Sequence, residues 1–123
     1  MKQKNKKRED DELSEVELWK AYKEHNMRDR QRMREVATNQ FEEARKAAKG
    51  AGLQLKRHSE SHYQLTDGQW ISNIYPGNRR LWSDKNAEVR APFLSDLPPN
   101  WTLLTVVRCF VEEINKQQRI MNF

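Results

Sequence analysis

The spacing of apolar residues changes twice along this chain, and the two changes set the order of its elements. From Leu53 the period is two. Leu53, Leu55 and Arg57 alternate with Gln54, Lys56 and His58, and Tyr63 and Leu65 alternate with His62, Gln64 and Thr66. Asp67-Gly68 is a hairpin-turn dipeptide, and the following run Trp70-Ile-Ser-Asn-Ile-Tyr75 is β-branched and aromatic. Pro76-Gly77-Asn78 turns the chain again before Arg79-Arg-Leu-Trp82, a short further strand. Residues 83–100 carry Pro92, Pro98 and Pro99 and read as loop. Then the period becomes helical. Leu103, Leu104, Val106, Val107, Phe110, Val111 and Ile114 form an apolar stripe, with Arg108, Glu112 and Lys116 on the other side and Asn100 as the expected cap. Before Leu53 the spacing is helical as well. A helix, three antiparallel strands with a short fourth, and a helix define an α+β chain: an α-β-β-β-α two-layer sandwich with an N-terminal helical extension, both helices on one sheet face and the other face left open.

The leading helix is the polar part. Ser14-Glu-Val-Glu17 has capping-box spacing. Beyond it the apolar residues are few: Leu13, Val16, Trp19 and Tyr22, then Met33 and Val36, with Met27 alone between Lys23 and Arg32. A helix so patterned is held by local charge pairs and contributes little to a core. Val16, Trp19 and Tyr22 are therefore assigned to a protein interface, with a partner or with a second copy of the chain. Asn39-Gln-Phe-Glu42 repeats the cap spacing, so a kink or break is expected near Thr38-Asn39, followed by a second helix through Phe41, Ala44, Ala47 and Ala48 that ends at Gly50 or Gly52; one continuous helix is the alternative. The expected organisation is a disordered tail over 1–12, a helical extension over 13–37 and an α+β domain over 38–123. Arg28, Arg30, Arg32 and Arg34 are interrupted by Asp29 and Glu35, alternate around the helix, and read as solvated surface.

Composition narrows the function classes. Of 123 residues, 36% are hydrophobic and 33% charged, which suits one domain plus a solvated appendage. No apolar run approaches the roughly 20 residues of a membrane span. The basic start Met1–Arg8 leads into Glu9-Asp-Asp-Glu12, unlike a signal peptide. One cysteine, Cys109, excludes an internal disulfide framework and a Cys-rich zinc site, and a cytoplasmic setting is expected. The four glycines, at 50, 52, 68 and 77, build no phosphate-cradling loop. His58 and His62 stand four apart in a strand-turn-strand stretch rather than on a helix, so neither a metal site nor any other cofactor is expected. The net charge of +5 suits an anionic partner.

Nucleic acid is the partner with the broadest basis. Lys56, Arg57, Arg79 and Arg80 sit on strands or strand ends that a meander gathers, and Tyr75, Trp70 and Trp82 stand near them as stacking groups. Asn73 and Asn78 add hydrogen-bonding groups, and the lysines of the tail extend the footprint. The plain alternative puts the tryptophans in the core and the arginines in solvated turns. His62 is the one catalytic candidate, since an imidazole exchanges protons near neutral pH and Arg57, Arg79 or Arg80 would support a phosphorane. An ordinary exposed strand histidine is its alternative. Cys109, mid-helix, reads as a packing residue.

Some of these residues carry a resemblance. Residues 41–65, Phe-Glu-Glu-Ala-Arg-Lys-Ala-Ala-Lys-Gly-Ala-Gly-Leu-Gln-Leu-Lys-Arg-His-Ser-Glu-Ser-His-Tyr-Gln-Leu, then the hairpin and Ile74-Tyr-Pro-Gly-Asn-Arg-Arg-Leu81, resemble the HicA toxin group with its double-stranded-RNA-binding-domain fold. Thr102-Leu103 and Val106-Val107 fit the closing helix of that group. The resemblance, over about residues 38–115, implies RNA cleavage with His62 as the motif histidine and an antitoxin partner. Glu60 replaces the motif glycine, Gly77-Asn78 follows Pro76 where a second histidine is usual, residues 83–100 are an insertion, and Trp101–Thr105 lacks lysines. The expectation is a small nucleic-acid-binding protein, RNA preferred, that is not an enzyme unless His62 makes it an endoribonuclease. A phage or mobile-element accessory protein that inhibits a host nucleic-acid machine by protein contact is the alternative.

Overall fold

Ser14 opens the first element. Its hydroxyl oxygen accepts the Glu17 N–H at 3.2 Å, which satisfies one of the orphan amides of helix α1, Glu15–Gly50. The computed structural model describes residues 14–121, so the expected tail over 1–12 lies outside the described residues. At its far end α1 closes as a Schellman motif. Gly52 adopts φ +77°, its N–H donates to the Lys49 carbonyl, and the Leu53 N–H reaches the Ala48 carbonyl at 2.9 Å. Leu53 and Ala48 are both buried, which supplies the apolar contact of that motif.

Between these ends α1 runs without interruption for 36 residues, about 54 Å. The break expected near Thr38-Asn39 is absent, and the expected boundary at 37/38 falls inside one helix. Thr38 is accommodated because its hydroxyl donates to the Arg34 carbonyl one turn back, at 3.1 Å, and accepts from Arg57 Nη2, also at 3.1 Å. What separates the two halves of α1 is burial. Residues 14–25 are exposed throughout, whereas Met33, Ala37, Ala44 and Ala48 are buried.

Four strands follow: β1 Gln54–Ser59, β2 His62–Thr66, β3 Ile71–Tyr75 and β4 Arg80–Ser83, in an antiparallel sheet of order β1-β2-β3-β4. The short fourth strand is thus formed. Leu55 pairs with Leu65, Tyr63 with Ile74, Leu65 with Ser72 and Ile74 with Leu81, so one face collects the apolar side chains. At Asp67-Gly68 the carboxylate Oδ1 accepts the Gln69 and Trp70 amides at 2.8 and 2.9 Å, while Gly68 takes φ +99°.

Helix α2, Leu103–Met121, completes the helical layer. Its cap is Thr102 rather than the expected Asn100. The Thr102 and Thr105 hydroxyls accept each other's amides at 3.4 and 3.3 Å, and Gln40 Oε1 of α1 takes the Leu104 amide at 3.1 Å. The α1 alanines, Leu55, Tyr63, Leu65 and Ile74 of the sheet, and Leu103, Val106, Val107 and Phe110 of α2 form one buried cluster. The small alanine face lets the two helices approach closely. The α+β two-layer design with one covered and one open sheet face is the architecture of the protein.

The core holds one uncompensated group. Tyr63 is fully buried between Phe41, 5.8 Å between ring centroids, and the Arg57 guanidinium, 5.9 Å from its ring. Its hydroxyl has no hydrogen-bond partner among the described residues. A buried unpartnered hydroxyl costs about 1–3 kcal/mol. Tyr63→Phe is therefore expected to match or exceed wild-type stability, by up to about 1 kcal/mol, in a urea titration. A loss of stability there would mean the hydroxyl has a partner.

Candidate nucleic-acid interface

The strand alternation that buries Tyr63 and Leu65 puts the next residues on the face away from the helices. Lys56, His62, Gln64, Asn73, Tyr75, Arg80 and Trp82 share that open face, because Lys56 pairs with Gln64, Gln64 with Asn73, Asn73 with Trp82 and Tyr75 with Arg80. Across it runs a row of four rings, one from each strand. His58 stacks on His62 at 5.1 Å and His62 on Tyr75 at 4.6 Å with planes 4° apart, while Tyr75 meets Trp82 at 4.8 Å with planes tilted by 35°. His58 follows Lys56 by two on the open face, and the register shifts between Arg57 and Ser59 beside it.

An amide lattice ties the row to the sheet. His58 Nε2 meets Gln64 Oε1 at 2.6 Å, Gln64 Nε2 donates to Asn73 Oδ1 at 2.9 Å, and His62 Nε2 meets the same Asn73 oxygen at 2.8 Å. Both acceptors are carbonyl oxygens, so each histidine carries its proton on Nε2 and leaves Nδ1 as the unprotonated nitrogen of its neutral form. Asn73 is buried at the centre of the lattice.

The basic residues do not form one surface, contrary to the sequence expectation. Lys56 and Arg80 are exposed on the open face. Arg57 lies on the helix face, opposite Tyr63 in the register and bonded to Thr38 of α1. The alternation of Leu53, Leu55 and Arg57 already implies that placement. Arg79 turns under α1, where its Nη1 meets Asp29 Oδ2 at 3.2 Å, and its backbone takes the left-handed φ of 51°. Burial opposes ionisation of Asp29, but the hydrogen bond and charge of Arg79, joined by Arg32 at 2.9 Å, outweigh it and hold the carboxyl below its usual range.

Tyr75 and Trp82 stand in the ring row, with Trp82 48% exposed at its end. Trp70 and Trp101 are core residues, and Trp70 stacks on Phe110 at 5.3 Å. His62 shares its face with only one of the three arginines expected to assist it, Arg80. His58 and Gln64 were missed as site residues, although period two puts Gln64 beside His62. Val16, Trp19 and Tyr22 are exposed on α1, where Trp19 and Tyr22 stack at 6.0 Å and the Lys23 ammonium sits 5.4 Å above the Trp19 ring.

Other features offer less chemistry. A cleft of about 1070 Å³ between β4 and the 84–97 segment is lined by Leu81, Val89, Leu94, Leu97 and Phe110. Cys109 is half-buried on α2, and burial, then the charges of Glu112 and Asp96, raise its thiol pKa, which keeps it in the unreactive form at neutral pH. No group of three or more metal-ligating side chains occurs among the described residues, and none of their helices is long and apolar enough to cross a membrane. No protein-family model matches the chain, and no curated protein or solved structure matches it either.

Proposed function

We infer that the protein binds single-stranded nucleic acid, RNA in preference to DNA, on the open face of its sheet. The observation that carries this reading is the ring row anchored by the Gln64–Asn73 lattice, with Lys56 and Arg80 on the same face. Within the row the rings use their faces on one another and turn their edges outward. The exposed Trp82 ring at the end offers a face on which a base can stack, a contact worth about 1–3 kcal/mol per base. Arg80, opposite Tyr75, and Lys56 suit neighbouring phosphates. The preference for RNA rests on the resemblance to HicA-type toxins. The reading is of binding rather than cleavage, since Arg80 is the one of the three candidate arginines on the face of His62 to support a phosphorane.

Fluorescence anisotropy with labelled single-stranded RNA and DNA of about 15 nucleotides tests it, a length within known site sizes of about 4–16. Wild type should bind at low salt, RNA more tightly, and quench its tryptophan emission. Trp82→Ala should weaken binding roughly tenfold, the equivalent of about 1.4 kcal/mol. No binding at low salt, or equal affinity for wild type and Trp82→Ala, refutes the reading.

A second reading is favoured by one observation: Val16, Leu18, Trp19, Tyr22 and Met27 are all exposed on α1. They suit a protein partner or a second copy. Light scattering on the purified chain separates the two, because a stable dimer that disappears in Trp19→Ala supports self-association.

A further inference from the structure

The basic residues of the first helix are sorted by its geometry. Successive residues advance about 100° around an α-helix, so Lys20, Lys23, Arg30 and Arg34 fall within an arc of about 80°. No Asp or Glu of α1 shares that arc. Arg28 and Arg32 lie on another side, so the arginines read as one solvated cluster divide into two sets. From Lys20 to Arg34 the stripe rises about 21 Å. Among the described residues none of its four cations forms a salt bridge, whereas Arg32, Arg45, Arg79 and Arg108 are all paired.

The sheet docks on α1 at this stripe. A Cβ on Gly77 would stand 3.3 Å from both the Arg30 carbonyl oxygen and Arg34 Cγ, so the β3–β4 turn touches the helix there. Arg34 Nη1 reaches Ser61 Oγ in the β1–β2 turn at 3.5 Å, and Arg34 Nε is enclosed without an acceptor. His62, Tyr75 and Arg80 lie beside these same two turns, at the ends of their strands. The ring row and the cationic stripe therefore meet at one end of the sheet.

We propose that Lys20, Lys23, Arg30 and Arg34 are a phosphate-contact track. A strand seated on the ring row passes over the β3–β4 turn and continues along the overhanging half of α1. Its direction follows from charge. The notch of about 510 Å³ lined by Arg34, Arg57, Glu35 and Glu60 carries no net charge, whereas Arg80 continues the positive sign on the other side. Trp19, stacked with Tyr22 and held under the Lys23 ammonium, stands exposed beside the track. The track rests on the open-face reading and enlarges it from a site of a few nucleotides to one that wraps the end of the sheet.

The salt dependence of binding tests it. For single strands log K falls with log salt by about 0.7 per phosphate contact. With a labelled RNA of about 30 nucleotides, Lys23→Gln plus Arg30→Gln should reduce that slope by about 1.4 relative to wild type. Arg28→Gln plus Lys46→Gln removes the same charge from exposed positions outside the arc, and should leave the slope at the wild-type value. All four positions are exposed, so both variants should fold as wild type in circular dichroism. An unchanged slope in the Lys23/Arg30 variant, with Trp82→Ala still weakening binding, overturns the track alone. Equal reductions in both double variants overturn it too, because they would report the overall field. Absence of wild-type binding removes the open-face reading and the track together.

Discussion

Phe110→Ala is expected to lower stability by about 3–5 kcal/mol, the usual range for emptying a buried aromatic site. Phe110 is 1% exposed, stacks on Trp70, and belongs to the cluster that joins both helices to the sheet. It also lines the cleft under the 84–97 segment, so part of the vacated space opens toward solvent and the lower end of the range applies. A domain of this size has about 5–15 kcal/mol in all, so the variant should melt at least about 10 °C below wild type. Trp19→Ala is the contrasting case. Trp19 is a larger side chain, but it is 58% exposed on the overhanging part of α1, and its loss should change stability by less than about 0.5 kcal/mol. Thermal denaturation followed by circular dichroism compares them, and a Phe110→Ala loss below about 1 kcal/mol would show that this helix is not anchored as described.

The same contrast shows what the sequence discloses. Periodicity reports burial only where a face is continuous. Leu103 to Ile114 and the alternation through Tyr63 and Leu65 were legible because every turn or every second residue repeats the signal. Ser14 and Gly52 were legible because caps require particular side-chain chemistry or a positive φ. The continuity of α1 was legible only as the alternative reading, because Thr38-Asn39 has the composition of a break. Within the intact helix the Thr38 hydroxyl bonds back to the Arg34 carbonyl and accepts from Arg57, 19 residues away. Local composition thus left a break and one continuous helix both open, and the structure has the continuous one.

The site was legible to the same partial degree. Tyr75, Trp82, Lys56 and Arg80 follow from strand alternation around the meander. The row that links His58, His62, Tyr75 and Trp82 needs the register of four strands, which residue spacing does not encode. Grouping Arg57 and Arg79 with Lys56 and Arg80 failed for a simpler reason. Adjacent residues on a strand point to opposite faces, so Lys56-Arg57 cannot serve one surface together. The α1 arginines carry the same lesson at helical period, where Arg30 and Arg34 share a side and Arg28 and Arg32 lie on another.

Gly77→Val is expected to lower stability by about 1–3 kcal/mol, as overpacking of a closed contact does. The cause is space rather than backbone freedom, since Gly77 does not take a positive φ. It is buried against the helix. An added Cβ meets the Arg30 carbonyl oxygen at 3.3 Å, a backbone atom inside a continuous helix that cannot shift alone, and Arg34 Cγ at the same distance. Gly77→Ala asks these neighbours to give by a few tenths of an ångström and should cost under about 1 kcal/mol. Valine adds two methyl groups in the same gap and should lift the turn from α1. That movement would pull Arg79 from Asp29, and without this contact the left-handed backbone of Arg79 loses a support, a conformation that costs on the order of 1–2 kcal/mol for a residue with a side chain. A urea titration of the alanine and valine variants reads the difference directly. If valine is tolerated as well as alanine, the turn does not bear on the helix, and the end of the sheet where the ring row meets the cationic stripe is not held together at Gly77.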